Sequence, residues 1–281
     1  MKGPHMTYCV GMKLAEGLVF ASDSRTNAGL DHISMFRKMM VYERPGDRFM
    51  VLLSAGNLSI SQSVREILQV EKLRDAGADA EPLTIWNAAS MFDAARVLGS
   101  AIRRVHEQDA NALQRSGIDF NASFIFGGQI RGEAMRLFLV YSAGNFIEAT
   151  RETPYFQIGE SKYGKPVLDR MITFHTPLPQ AAKCALVSMD STLKSNLSVG
   201  MPIDLLVYRE GALASEDIVC VDGSNPYFNM IRSTWGQRLH EVFESIDDPE
   251  WGNAQSRHPI RVHSDRYEPI RKIQNPWERI V

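Results

Sequence analysis

The chain opens with two successive β-hairpin patterns, and this start favours a fold built on antiparallel strands. In each pattern, two short apolar segments flank a turn rich in Gly, Pro or acidic residues, which is the usual sequence signature of a hairpin. The four predicted strands are Tyr8–Lys13, Leu18–Asp23, Met39–Glu43 and Phe49–Ser54.

Segments with a helical spacing of apolar residues follow the hairpins, and strands, helices and strands come after them. The predicted helices are approximately Ser59–Ala76, Ile85–Gln114, Tyr163–Ile172 and Pro179–Leu197. The later predicted strands are Ala122–Gly128, Met135–Ser142, Phe146–Ala149, Pro202–Arg209 and Glu216–Val221. This order predicts an α+β fold, and periodicity by itself specifies nothing finer.

The two ends of the chain differ from its body. Residues 1–6 have no apolar core and are interpreted as a leader or a cloning scar. From His240 onward, helical and strand periods weaken, and prolines and large aromatic residues stand among charges, a composition that favours packing over disorder. We therefore predict one domain over residues 7–239 and a C-terminal extension over residues 240–281 that forms an inter-subunit arm.

Composition narrows the class of protein. A chain of 281 residues with 44% hydrophobic and 23% charged residues can bury one sizeable core. The formal net charge of −2 gives no reason to expect nucleic acid or an anionic membrane as a partner. No apolar segment approaches the ~20 residues that cross a bilayer, and no signal peptide is evident, so we expect a cytoplasmic location.

Cysteine and histidine do not suggest a metal or cofactor site. The cysteines, Cys9, Cys184 and Cys220, lack metal-ligand spacing, which predicts buried thiols in a reducing compartment. The histidines are scattered, without the i, i+4 pair of a zinc-binding helix. The sequence therefore predicts neither a metal ion nor another cofactor.

Thr7 becomes a candidate catalyst if the residues before it are removed. A threonine hydroxyl is a weak nucleophile, but the α-amino group of an N-terminal residue titrates near ~7.7–8.0 and can accept the hydroxyl proton. Translation from Met6, followed by removal of that methionine, leaves Thr7 as the first residue. The alternative is that Thr7 is an ordinary strand residue, since threonine has a high β-propensity.

The residues around Thr7 also resemble those of a known family. Thr7, Asp23, Arg25 and Lys38 have nearly the spacing of the threonine, aspartate, arginine and lysine of proteasome β-type N-terminal nucleophile hydrolases. The segments that carry the resemblance are Thr7-Tyr8-Cys9-Val10-Gly11, Ala21-Ser22-Asp23-Ser24-Arg25-Thr26-Asn27-Ala28-Gly29, Ser54-Ala55-Gly56-Asn57, Phe156-Gln157-Ile158-Gly159-Glu160-Ser161 and Ser195-Asn196-Leu197-Ser198. They are most similar to Anbu, the bacterial ancestral β-subunit, and the resemblance ends at about Arg238.

This resemblance implies a fold, an assembly and a class of substrate. The implied fold is the four-layer αββα sandwich of the proteasome β-subunit, here with a C-terminal extension. The implied assembly is a homo-oligomer that forms a ring or an open helical ring. Peptides or unfolded proteins are the implied substrates, and an ATPase or other activator is a candidate partner because related proteasomes depend on one.

The resemblance also implies roles for the charged residues near Thr7. Lys38 places an ammonium beside the nucleophile, which favours loss of a proton from the hydroxyl and the amine. Asp23 holds that ammonium in place, and Arg25 braces the turn. Without the resemblance, Lys38 is typical of a solvated surface lysine, and Asp23 and Arg25 are typical of a strand-ending turn.

Gly56 is the implied donor to the oxyanion. A glycine between a strand and a helix lets the backbone approach a tetrahedral intermediate and offer its N–H group, although a routine tight turn has the same sequence. Asn57 or Ser59 is expected to cap the helix that follows. Substrate contacts are predicted for Thr26 and Asn27, after the catalytic turn, and for Ser54 and Leu58, which flank Gly56.

Two segments depart from the family pattern. Proteasome β-subunits have a Ser-Gly-Ser turn and an Asp-x-x-Ser pair, where this chain has Gly159-Glu160-Ser161 and Ser195-Asn196-Leu197-Ser198. A carboxylate is therefore lost at Ser195 and gained at Glu160. Ser161, Ser198 and Glu160 are predicted as auxiliary catalytic residues, and Glu160 either acts as a base near the threonine amine or faces solvent.

Three functions follow from these patterns. The leading hypothesis is a self-assembling threonine peptidase that forms an acyl-enzyme on Thr7. The alternatives are an assembly or scaffold protein of the same fold with a vestigial site, which the changes at Glu160 and Ser195 favour, and a small-amide hydrolase.

Overall fold

The computed structural model of the protein describes residues 7–27, 33–70, 82–214, 217–251, 260–263, 266–269 and 273–274. The helices among these residues are α1 (Leu58–Val70), α2 (Met91–Arg115), α3 (Lys165–Met171), α4 (Leu178–Ser195) and α5 (Pro226–Glu244). The strands are β1 (Tyr8–Leu14), β2 (Gly17–Asp23), β3 (Arg25–Asn27), β4 (Ile33–Met35), β5 (Met39–Arg44), β6 (Arg48–Gly56), β7 (Ala122–Ile130), β8 (Arg136–Val140), β9 (Phe146–Glu148), β10 (Tyr155–Gly159), β11 (Ile203–Arg209), β12 (Asp217–Val221), β13 (Glu250–Trp251), β14 (Ile260–His263), β15 (Arg266–Pro269) and β16 (Ile273–Gln274).

The first antiparallel sheet carries the amino-terminal strand in its interior. Its strand order is β10, β1, β2, β11 and β12. Within β1, Tyr8 lies opposite Gly159 of β10, and Cys9 lies opposite Ser22 of β2. Thr7 directly precedes β1, so strands on both sides fix its position.

The second antiparallel sheet has the strand order β5, β6, β7, β8 and β9. Its strand β6 is buried on both faces, which explains its nearly continuous apolar sequence. Phe49 and Val51 pack between the two sheets, whereas Met50 and Leu52 point to the opposite face. The strand thus joins two separate cores.

The two large sheets pack face to face with helices outside them. Residues of α1 and α2 form one apolar core with the outer face of the second sheet. Helix α4 packs on β1, β2 and β11 of the first sheet, and α3 packs on α4. The molecule is therefore an α+β protein with two antiparallel sheets between helical layers.

Three two-stranded ladders complete the described structure. They pair β3 with β4, β13 with β16, and β14 with β15. The chain divides into two compact units, Met1–Arg232 and Ser233–Val281. Among the described residues, no helix is both long and apolar enough to cross a lipid bilayer.

The structure corrects several expectations about elements. The long helix begins at Met91 rather than Ile85, and the short strands β3, β4 and β10 were not expected. Helix α5 was not expected either, and it continues to Glu244, past His240, although the helical and strand periods of the sequence weaken from there. The boundary at residues 239 and 240 lies inside α5, and the extension stays a prediction. Residues 1–6 and the predicted end of α1 lie outside the described residues.

The cysteines differ from one another in exposure. Cys9 and Cys184 are buried, as expected, whereas Cys220 is exposed on β12. Burial raises the pKa of the Cys184 thiol to about 11, and it also raises the pKa of Cys9. Neither buried thiol is therefore ionised at neutral pH.

Candidate functional site

Thr7 is held at the start of β1 by a close approach of the backbone. Its carbonyl oxygen accepts a hydrogen bond from the Glu160 N–H group at 2.6 Å, and only 6% of the residue is exposed. The neighbouring Gly159 has φ +80°, and a Cβ atom there would lie 1.8 Å from the Thr7 carbonyl oxygen. Residue 159 must therefore be glycine for the strand to reach this position.

Asp23 and Lys38 form a buried ion pair next to Thr7. Lys38 Nζ lies 2.7 Å from Asp23 Oδ1, and the exposed fractions of the two side chains are 7% and 0%. The same Asp23 oxygen accepts the N–H group of Tyr8 at 3.0 Å, which is the peptide group that joins Thr7 to Tyr8. The other oxygen, Oδ2, accepts the Gly200 N–H group at 3.4 Å.

These contacts determine the charge of Asp23. Burial raises the pKa of the Asp23 carboxyl above its usual value, whereas the Lys38 ammonium and the N–H groups of Tyr8 and Gly200 oppose that rise. Since Lys38 donates directly to the carboxylate, the geometry favours the ionised pair.

Lys38 is fixed at both its side chain and its backbone. Its ammonium also donates to the Arg25 carbonyl oxygen at 2.7 Å, and its own carbonyl oxygen accepts the Ser54 N–H group at 3.1 Å. The interpretation of Lys38 as a solvated surface lysine is therefore wrong. The ammonium points inward because the Lys38 backbone, directly before β5, is bonded to Ser54 of β6. The Asp23 carboxylate that the ammonium contacts lies at the end of β2.

Arg25 reaches across to the segment after α4. Its Nη1 donates to the Leu197 carbonyl oxygen at 3.1 Å. A Cβ atom at Gly200 would lie 2.1 Å from Arg25 Nε, so a side chain at position 200 would displace the guanidinium. Arg25 thus links the turn after β2 to this distant loop.

Glu160 is buried, so of the two alternatives for this residue the one in which it faces solvent is wrong. Only 6% of Glu160 is exposed, and its Oε2 accepts a hydrogen bond from Asn196 Nδ2 at 3.2 Å. Asn196 Oδ1 in turn accepts the N–H group and the hydroxyl of Ser198, at 3.0 and 2.6 Å. Glu160 and Ser198 therefore belong to one hydrogen-bonded network, in which Asn196 bonds to both.

A second network anchors the segment that contains Ser161. Gln157 Nε2 donates to the Tyr8 hydroxyl at 2.6 Å and to the Ser161 carbonyl oxygen at 3.4 Å. The Tyr8 hydroxyl lies 2.6 Å from Ser188 Oγ, which donates to the Gly164 carbonyl oxygen at 3.1 Å. The backbone of Ser161 is thus tied to the strand that begins after Thr7.

Gly56 ends β6 in a conformation that suits glycine. Its φ is +104°, and a Cβ atom there would lie 2.4 Å from the Asn121 carbonyl oxygen. Asn57 Oδ1 accepts the N–H group of Ser59 at 3.0 Å and its hydroxyl at 2.9 Å, so Asn57 caps α1. The backbone at Gly56 is therefore both bent and fixed.

The predicted substrate-contacting residues differ in their burial and in the elements that carry them. Ser54 is only 4% exposed, and its hydroxyl donates to the Lys38 carbonyl oxygen at 3.4 Å. Leu58 is half-buried at the first position of α1. Thr26 and Asn27 lie in β3, and their side chains are outside the described part of the structure.

Sequence reasoning missed three polar contributors to this region, namely Gln157, Asn196 and Gly200. Each contacts a residue far away in the sequence, so no local spacing pattern identifies it. The one available signal was the exchange of a carboxylate between positions 160 and 195, which indicated a changed network but not its members.

Solved structures of related proteins match this chain over most of its length. Anbu (ancestral beta-subunit) from Yersinia bercovieri is 49% identical, with 87% of this chain and 100% of that chain covered and a TM-score of 0.79. Anbu from Hyphomicrobium sp. strain MC1 is 44% identical, with 86% and 99% covered and a TM-score of 0.78. The Anbu complex from Pseudomonas aeruginosa, solved as a helical assembly, is 49% identical, with 86% and 98% covered and a TM-score of 0.79.

No protein-family model matches the sequence, and no curated protein matches it. The solved relatives nevertheless share both the sequence and the arrangement of sheets and helices across nearly their whole lengths. The chain therefore belongs to the Anbu (ancestral β-subunit) family.

Proposed function

We propose that the protein is a threonine peptidase whose nucleophile is Thr7, freed by removal of the residues before it. The observation that carries this proposal is the buried Asp23–Lys38 pair, which bonds to the peptide group directly after Thr7. A buried ion pair is costly to maintain, and ionisable groups with perturbed environments concentrate at functional sites. The fold supports the proposal as well, since its layers suit the αββα sandwich of N-terminal nucleophile hydrolases.

The reaction has two proton-balanced stages. Thr7 Oγ1 attacks the carbonyl carbon of a peptide bond while the Thr7 α-amine accepts the hydroxyl proton, and the Gly56 N–H group stabilises the oxyanion. The C–N bond then breaks, the proton passes to the leaving amine, and an ester on Thr7 remains. Water hydrolyses that ester with the α-amine as base.

The remaining site residues support this chemistry. Lys38 supplies a positive charge beside the nucleophile, Asp23 holds the lysine, and Arg25 braces the turn. Glu160 and Ser198 belong to the network that Asn196 connects, and the backbone of Ser161 is held by Gln157. We assign these three residues an auxiliary role around the Thr7 amine.

We further propose that the protein assembles into a homo-oligomer, in a ring or an open helical ring. Two features support this proposal: the relative from Pseudomonas aeruginosa was solved as a helical assembly, and the C-terminal half of α5 exposes large apolar side chains. Enclosure by such an assembly restricts substrates to peptides or unfolded chains. The buried free thiols Cys9 and Cys184 fit a cytoplasmic location.

The experiment that tests the peptidase proposal is intact-mass analysis of protein expressed from Met6. Loss of the methionine is expected, and a β-lactone or epoxyketone should add one adduct to the mature chain. A Thr7→Ala variant is the control and should not react. A free Thr7 that never reacts in assembled protein would contradict the proposal and favour the scaffold hypothesis.

A further inference from the structure

Asn196 occupies a junction between two loops that meet near Thr7. Its side chain contacts Glu160 in one loop and Ser198 in its own loop. Asn196 is half-buried, and its position two residues from Ser198 makes the contact with that hydroxyl local. The contact with Glu160, in contrast, spans 36 positions of sequence.

The orientation of the Asn196 amide is determined by its partners. The Ser198 backbone N–H group can only donate, so the atom of Asn196 that faces it must be the carbonyl oxygen Oδ1. The amide nitrogen Nδ2 then faces Glu160, where it meets the carboxylate oxygen Oε2 at 3.2 Å. Both ends of the amide are thus used, and a carboxylate is the matching acceptor for the donor end.

The two loops are tied to the residues around Thr7 at several further points. The Glu160 N–H group bonds to the Thr7 carbonyl oxygen, so the buried carboxylate belongs to the residue in direct backbone contact with Thr7. The loop of Asn196 is held by Arg25 at Leu197 and by Asp23 at Gly200. Asn196 therefore joins the Glu160 side of the site to the Asp23 side.

We propose that Asn196 is a positioning residue, which holds the Glu160 carboxylate and the Ser198 hydroxyl as one polar unit against the amino-terminal residue. This role rests on the proposed function, because it acts on the free α-amine of Thr7. The backbone of Glu160 contacts Thr7 directly, and a carboxylate fixed on that neighbouring residue favours the charged form of an amine at Thr7, which raises the pH at which the α-amine becomes a base.

Exchanging the amide of Asn196 and the carboxylate of Glu160 tests this role. In Asn196→Asp, the bonds from Ser198 remain available but two carboxylates face each other, whereas Glu160→Gln removes the negative charge. The double variant Glu160→Gln/Asn196→Asp restores one amide opposite one carboxylate, with the direction of the bond reversed. Exposed sites provide matched single controls, Asn145→Asp and Glu152→Gln, which make the same changes elsewhere.

The first readout is the pH dependence of Thr7 α-amine modification by dinitrofluorobenzene, followed by mass spectrometry of the amino-terminal peptide. Glu160→Gln should move the midpoint to lower pH, Asn196→Asp should move it to higher pH, and the double variant should return it towards the wild-type value. The two control variants should leave it unchanged.

The second readout is the rate of β-lactone addition to Thr7. Each single variant should react roughly tenfold more slowly than wild type, and the double variant should recover most of that loss, because residues in one network are energetically coupled. Thermal unfolding of every variant identifies any that fail to fold. The double variant, which restores the bond, supplies the comparison in that case.

The two readouts separate this role from the proposed function. Shifted midpoints in a protein that never reacts with the β-lactone would support the role of Asn196 and contradict the peptidase proposal. Unshifted midpoints in all three variants would overturn the role of Asn196, whether or not Thr7 reacts.

Discussion

Lys38 and Asp23 stabilise each other's charges, because both side chains are buried and water cannot solvate either charge if its partner is removed. Lys38→Met should therefore destabilise the protein by about 3–5 kcal/mol, since it leaves the Asp23 carboxylate buried and uncompensated. The midpoint of urea unfolding measures this loss, and Lys162→Met, at an exposed position, is the control that should change little.

The double variant Lys38→Met/Asp23→Asn distinguishes a paired charge from a merely well-packed lysine. It should be more stable than Lys38→Met alone, because the uncompensated charge is gone. It should still not react with a β-lactone, since the ammonium beside Thr7 is missing. Equal stability of the single and double variants would contradict the importance of the ion pair.

Asp204 is a second buried carboxylate, and its environment predicts a dependence of stability on pH. Arg37, whose side chain is 65% exposed, bonds to its Oδ1 at 2.8 Å, whereas its Oδ2 and the cross-strand Ser22 hydroxyl have no hydrogen-bond partner among the described residues. Burial raises the pKa of Asp204, and Arg37 and the Cys220 thiol oppose that rise. The Asp204 carboxyl therefore loses its proton at a lower pH in the unfolded chain than in the folded chain.

The sign of the effect follows from that difference. As pH rises from about 4, the unfolded state ionises first, so this group contributes progressively less to the free energy of unfolding. Asp204→Asn removes the titration, and its stability relative to wild type should increase from pH 4 to pH 7. Chemical denaturation at several pH values measures the difference, and a difference that is constant across this range would contradict the assignment.

At the scale of elements, the pairing of β1 with β10 depends on glycine at position 159. Gly159→Ala combines an unfavourable positive φ with a Cβ atom inside contact distance of the Thr7 carbonyl oxygen. Gly132 provides a matched control, because its φ is +83° but no atom lies within 4 Å of its Cβ position. Gly132→Ala should cost only about 1–2 kcal/mol, the penalty of the backbone conformation.

Gly159→Ala should cost clearly more than this control and should also abolish the reaction of Thr7 with a β-lactone, since it displaces Thr7, the proposed nucleophile. Urea unfolding and intact-mass analysis of the two variants provide the measurements. Equal losses of stability, with Thr7 still reactive, would show that the strand tolerates the displacement.

The predictability of each element depended on how local its cause is. The hairpins were predictable because their turns and apolar segments are contiguous. The start of α2 was not predictable, because the buried residues Ile85 and Ala88 continue the apolar spacing of the helix. In the structure, however, Asn87 Oδ1 accepts the Thr84 N–H group and holds that segment in a turn. The helix begins only where the Ser90 hydroxyl caps it by accepting the Asp93 N–H group.

Helix α5 could not be predicted for a different reason. Among its described residues only Phe228 and Ile231 are buried, so it has no long apolar stripe towards a core.

The candidate site could be predicted only in part. The contact of Lys38 with Asp23 could be predicted from the family resemblance. The roles of Asn196 and Gly200 could not, because their partners are distant polar groups brought together only by the fold.

At the scale of the whole molecule, the end of α5 presents an apolar surface without a partner in the described chain. Three large side chains of α5, 51% to 74% exposed, have the i, i+3, i+4 spacing of one helical face, and Ile246, two residues beyond the helix, is 66% exposed. The three are Leu239, Val242 and Phe243. Such an exposed apolar face usually marks a contact with another chain, and the proposed homo-oligomer supplies a second copy.

Phe243→Glu should therefore shift the protein towards smaller assemblies, because Phe243 is the most exposed member of this face at 74% and a carboxylate cannot be buried there without a partner. Size-exclusion chromatography with light scattering measures the mass over a range of protein concentrations. The control is Met171→Glu, at a residue that is 52% exposed at the end of α3 and should leave the mass unchanged. If Phe243→Glu retains the wild-type mass at every concentration, another surface holds the assembly together. Equal dissociation by both variants would instead indicate a general effect of added charge.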